Sequence, residues 1–159
     1  MMRTRPSAAA GFTIIELMAT LVIAGILFTL AIPSFQGFVA NQRVKTDTNQ
    51  LLMSLLLARS EAIKRNGTVS ITPNDVDDWA AGWSVVVDAD DSTLRSQDAL
   101  SGTAISTTAA GVTFNRAGRL TTASPTFTLC DANDKATRRV LTLDLSGQPR
   151  VELDGKCGT

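Results

Sequence analysis

Residues 11–38, GFTIIELMATLVIAGILFTLAIPSFQGF, constrain this chain more than any other stretch. Residues 17–32 carry no charge, and with their flanks they approach the roughly 20 apolar residues a helix needs to cross the hydrocarbon core. The run therefore reads as a membrane segment. Glu16 sits just inside its amino end, where a lone carboxylate is costly in lipid and calls for a partner or a task.

A secretory signal would have a shorter apolar core ending in a small-residue cleavage site. An ordinary uncleaved anchor gives no reason to place Glu16 in lipid. Residues 1–10 contain Arg3 and Arg5 and no acid, which favours a cytoplasmic amino end. Arg43 and Lys45 beyond the span weaken that argument from charge alone.

The chain has 159 residues, enough for one small domain beside the membrane helix. Lys and Arg balance Asp and Glu at 15 each, histidine is absent, and the cysteines are Cys130 and Cys157. A zinc site or a histidine-based catalytic centre has almost nothing to be built from, so no enzyme, metal or cofactor is expected. Two cysteines suit a single disulfide in an oxidising compartment, with two free thiols as the alternative.

Past the span, Val44, Leu51, Leu52, Leu55, Leu56, Ala62 and Ile63 recur at helical spacing, which predicts an amphipathic continuation with one buried stripe. Asn66-Gly67 predicts its end. Pro33 and Gly37 are expected to kink or loosen the helix. From residue 67 the period becomes that of strands, with candidates at 68–72, 83–88, 112–114, 127–130, 139–143 and 149–153. The economical fold is α+β, one antiparallel sheet or two small ones laid on the helix stripe. Trp83 is expected in the core and Trp79 at the surface or an interface. The acidic run 88–92 lacks the glycine and distant glutamate of a calcium loop and reads as a turn.

Gly11, Phe12, Glu16 and the apolar run together resemble the signature of type IV prepilins and type II secretion pseudopilins. Pro33 also matches a proline that family often carries. The resemblance implies a leader at 1–11, cleavage after Gly11 by a prepilin peptidase, and N-methylation of Phe12. It implies an assembly helix at 12–38, its amphipathic continuation at 39–66 and a periplasmic β-rich domain at 67–159, all on a type IV pilin-like fold. It further implies residence in the bacterial inner membrane and transfer into a filament with other minor and major pilins or pseudopilins, with Glu16 near a neighbour's charged amino terminus.

The stretches LLLARSEAIKRNGTVSI, GWSVVVDAD, GVTFNRAGRL and SGQPR, the last between the two cysteines, are similar to the GspH/FimT/FimU branch of minor pilins and pseudopilins. The implied function is priming or assembly of a type IV pilus, with a GspH-type role in type II secretion as the alternative. DNA binding in natural transformation is a third reading. FimT-type chains that bind DNA use a Gly-Arg-x-Arg motif, and here residues 147–150 match only its second arginine, Arg150, with Gln148 in place of the first. Arg138, Arg139 and Lys156 are candidates to join Arg150, since affinity for phosphates comes from summed contacts. Against that stands a solvated face with the bases paired to Asp144, Glu152 and Asp154.

Overall fold

The computed structural model describes residues 11–158, apart from the side chains at 30–34. The leader residues 1–10 and the surroundings of Pro33 lie outside the described residues. One helix, α1 (Ile14–Arg65), is followed by eight strands: β1 (Val69–Asp75), β2 (Asp78–Val87), β3 (Ser92–Gln97), β4 (Thr103–Ser106), β5 (Val112–Phe114), β6 (Thr126–Asp131), β7 (Thr137–Leu143) and β8 (Pro149–Lys156). The chain divides into two compact units, Met1–Gln36 and Gly37–Thr159.

In the first unit the described side chains are nearly all exposed, including Ile14, Leu17, Leu21, Val22 and Ile26. Among the described residues no helix is long and apolar enough to cross a membrane. The uncharged run is described only as far as Thr29, where the described side chains stop.

The second unit holds the core. Two antiparallel four-stranded sheets, ordered β3-β2-β1-β5 and β4-β6-β7-β8, pack with the carboxy-terminal half of α1. This is the α+β plan expected from the sequence, in its two-sheet form. The buried helix face is Ala40, Val44, Leu51, Leu55, Ala58 and Ala62. It shares one core cluster with Val69, Ile71, Trp83, Val85 and Phe114 of the first sheet and Phe127, Leu129 and Leu141 of the second.

The expected stripe was partly misplaced. Leu56 and Ile63 are exposed and Leu52 is only partly buried. Thr48 and Ser54, which hydropathy does not mark as core, are buried in their stead. Each satisfies its hydroxyl inside the helix, Thr48 Oγ1 donating to Val44 O at 2.6 Å and Ser54 Oγ to Gln50 O at 2.9 Å. Ser54 Oγ also accepts the Trp83 indole N–H at 2.9 Å, tying helix to first sheet. Asp47 ties it to the second, accepting from Thr103 Oγ1 at 2.5 Å. Both bonds are buried, so neither donor nor acceptor is left to pay desolvation alone.

The helix ends where Asn66-Gly67 predicts, with the roles redistributed. Asn66 takes the left-handed conformation, φ 51°. Its N–H reaches Ile63 O at 3.2 Å and that of Gly67 reaches Ala62 O at 3.1 Å, the paired bonds of a Schellman cap. Asn66→Ala is expected to cost about 1 kcal/mol for the side chain's entry into left-handed backbone, and Asn66→Gly little or nothing, glycine being the usual residue at this position. Urea unfolding of the wild type and the two variants measures this, and an Asn66→Ala midpoint equal to wild type would show that the cap is not limiting.

Trp79, expected at the surface or an interface, is fully buried. β2 begins five residues earlier than the sequence suggests, passing through Gly82 at φ +96°. A Cβ there would lie 2.2 Å from Gln97 O, so only glycine lets the strand continue past β3. β3 and β4 were not expected at all; both are short and polar, at sheet edges.

Candidate functional site

The residues expected to serve processing and assembly, Gly11, Phe12 and Glu16, lie together at the start of the first unit. Gly11 and Phe12 precede the helix and are exposed, Phe12 at 72%. An accessible peptide outside the helix is what a protease can seat. Thr13 then caps α1: its Oγ1 accepts the Glu16 N–H at 3.3 Å, and its carbonyl accepts from Leu17 N at 3.2 Å. Thr13-x-x-Glu16 has the spacing of a capping box. The cap was missed in the sequence although that spacing signals it. Glu16 occupies the first turn, where a carboxylate is favoured by the helix dipole. Its exposure leaves the carboxylate available to a second chain.

The candidate basic residues do not converge. Arg138 is engaged by Asp154, Nε donating to its carbonyl at 2.8 Å and Nη2 lying 2.9 Å from its Oδ2. Arg139 stands opposite Leu153 and Arg150 opposite Thr142. Side chains alternate along a strand, so these two arginines project to opposite faces of the sheet. Lys156 pairs with Thr137 across a register shift at the far end of β8. Arg150 instead borders the loop 144–148, where the Ser146 hydroxyl and then the Gln148 N–H hold the Asp144 carboxyl below its usual range, with Arg150 adding a smaller electrostatic pull.

Cys130 in β6 and Cys157 just past β8 form a disulfide, 27 positions apart in sequence and with Cα atoms 5.6 Å apart. The run 88–92 forms the β2–β3 turn, with Asp90 Oδ1 accepting from Ser92 N and Oγ at 3.1 and 2.7 Å.

A helix whose amino end carries the cleavage and methylation pattern, and whose carboxy-terminal half packs on antiparallel sheets, defines a prepilin-like protein of the type IV pilin fold. The chain belongs to the family described as type II transport protein GspH, whose model matches residues 47–147. The prokaryotic N-terminal methylation motif matches residues 6–32.

Among solved structures, the type IV minor pilin FimU of Pseudomonas aeruginosa PAO1 is similar in two crystal forms. The P21 form is 24% identical with a TM-score of 0.62, over 73% of this chain and 96% of that one. The P65 form is 27% identical with a TM-score of 0.61, over 71% and 98%. The minor pseudopilin EpsH of the Vibrio cholerae type 2 secretion system is 18% identical with a TM-score of 0.55, over 70% and 97%. No curated protein matches. The family and the motif make this chain a minor pilin or pseudopilin, of a type IV pilus or of type II secretion.

Proposed function

We propose that the chain is a minor pilin cut by a prepilin peptidase between Gly11 and Phe12, methylated on the new amine, and used to prime a type IV pilus. Before assembly it is a single-pass protein of the bacterial inner membrane with its second unit in the periplasm. The observation that carries this reading is the amino end itself: an exposed Gly11-Phe12 peptide followed by a capped helix with one carboxylate, Glu16, on an otherwise apolar exposed surface. The match to the methylation motif supports it, as does likeness to a structure described as a type IV minor pilin.

In the filament the Glu16 carboxylate meets the charged amino terminus of a neighbouring subunit. A low dielectric strengthens that attraction, and the pair must offset the desolvation of both ions. Pairing therefore sets the axial register between subunits, while apolar side chains from Ile14 to Leu30 supply the contact area. Glu16→Ala is expected to be cleaved and methylated normally, by mass spectrometry of its amino-terminal peptide, yet absent from sheared filaments. Normal incorporation would refute the registry role.

A second reading, a type II secretion pseudopilin, is favoured by the description of the matching family. Deleting the chain distinguishes them: loss of surface pili with exoprotein secretion intact fits the pilus, and the reverse fits the secretion system. DNA binding is not part of the proposal, because Arg138 is engaged by Asp154 and Arg139 and Arg150 alternate to opposite faces.

A further inference from the structure

The first charges along α1 after Glu16 are Arg43 and Lys45, because residues 17–42 carry none. Basic residues crowd the cytoplasmic flank of a span as a rule, so a pair on the periplasmic flank runs against it. The fold brings more of them to the same end of the second unit. Thr137 N–H donates to Asn41 Oδ1 at 2.8 Å, and a Cβ on Gly37 would lie 3.7 Å from Lys135 O. The β6–β7 connection therefore lies alongside the helix at 37–41. Lys156 stands opposite Thr137 in the β7–β8 ladder. Arg43, Lys45, Lys135 and Lys156 thus share one end of the unit, and all four are exposed.

That end is held in shape from inside. Asp131 is 3% exposed, and its Oδ2 accepts from the N–H groups of Asn133 and Lys135 at 3.0 and 3.4 Å. Its Oδ1 lies 3.8 Å from Arg43 Nη1, which leaves the arginine side chain 41% exposed. Cys157 N–H donates to Ala136 O at 3.3 Å, beside the disulfide. The acids do not cancel the bases. Asp131 is turned inward, Asp154 is engaged by Arg138, and Asp134 is the exposed acid of the connection.

The position of this end narrows its partner. Gly37 is five residues past Ile32, a path of about 8 Å in a helix and at most about 17 Å fully extended. The polar layer outside the hydrocarbon is itself about 5–8 Å deep on each side. Phe38 and Val39, 62% and 39% exposed, put apolar surface next to the cations. A nucleic acid or an acidic protein would meet the cations and leave that surface wet. A lipid with a negative headgroup meets both.

We propose that this end of the second unit binds anionic phospholipid headgroups, the lipid phosphates accepting from Lys45, Lys135 and Lys156 while Phe38 and Val39 enter the boundary with the acyl chains. A basic patch beside an apolar anchor gives two membrane signals where one is weaker. The stored subunit then rests its β-rich unit on the bilayer, and extraction into a filament must break that contact. The inference rests on the membrane reading above and adds to it a surface of the second unit.

The test uses the full chain in nanodiscs of phosphatidylcholine doped with phosphatidylglycerol, with a photoactivatable diazirine on the headgroup of one lipid or the other. Adducts on residues 43–46 and 132–137, mapped by mass spectrometry, are expected about fivefold or more above the phosphatidylcholine probe with the phosphatidylglycerol probe, the effect of one surface charge or more. The preference is expected to fall as salt is raised. A Lys45→Glu, Lys135→Glu double variant should unfold thermally as wild type does, because both sites are exposed, and should lose the preference. Equal labelling by the two probes, labelling centred elsewhere on the unit or a preference kept by the double variant would overturn the assignment. So would loss of labelling to excess glycerol 3-phosphate, which would make this a site for soluble anions. Failure of the wild-type chain to enter the nanodiscs removes the membrane reading, and this surface with it.

Discussion

Trp79→Ala is expected to destabilise the second unit by about 3–5 kcal/mol, the cost typical of deleting a buried indole. Domains of this size have only about 5–15 kcal/mol in total, so the variant should be largely unfolded near physiological temperature. Trp79 belongs to β2 of the first sheet, yet its ring meets Phe127 of the second edge-on, with centroids 4.8 Å apart and planes at 74°. Its indole N–H donates to Ala109 O at 2.8 Å, in the connection between β4 and β5. Truncation therefore opens a cavity at the seam of the two sheets and orphans a carbonyl there. Trp79→Phe keeps most of the packing and loses the hydrogen bond, with an expected cost of about 1–2 kcal/mol. Urea unfolding of the unit Gly37–Thr159, which holds the core, measures both. A Trp79→Ala midpoint close to wild type would show that the sheets are held together elsewhere.

That residue also shows where the sequence is hard to read. Trp79 follows Asp75, Asp77 and Asp78, so its surroundings read as turn, and hydropathy cannot see that Gly82 lets β2 run on through them. Strand alternation did locate β5 and the inner parts of β1, β2, β6 and β7, because their buried faces carry large apolar side chains. β3 and β4 escaped because edge strands bury little and need no such face.

The helix illustrates a different limit. Periodicity reports that apolar residues share a helical spacing, not which way they point, and α1 carries two apolar stripes. Leu56 and Ile63 were counted with the inner stripe and belong to the outer one. Buried Asp47 and Ser54 were invisible as core, since what makes them tolerable is a partner far along the chain, Thr103 and Trp83. At the amino end the methylation motif was legible because its residues lie close together in sequence. The basic cluster was not, because whether Arg139 and Arg150 converge depends on the β7–β8 register.

The serine double variant Cys130→Ser, Cys157→Ser is expected to lose about 3.5 kcal/mol, the loop-closure entropy the chain-entropy model assigns to a crosslink of this length. The structure says where the loss should appear. β8 is exposed at every residue except Pro149, which is half-buried, so it contributes almost nothing to the core. It is held by its ladder with β7, by the Arg138–Asp154 pair and by the covalent tie from Cys157 to β6. The exposed ion pair is worth little by itself. Without the tie, β8 should open before the rest of the unit, as weakly packed segments do. Hydrogen exchange should then show fast amides in β8 while the buried strands β1 and β6 stay protected, and dithiothreitol should reproduce the pattern in the wild-type domain. Two thiols alkylatable in exported wild-type protein, or a double variant as stable as wild type, would show that the tie does not hold β8. The edge strand would then owe its place to backbone pairing alone.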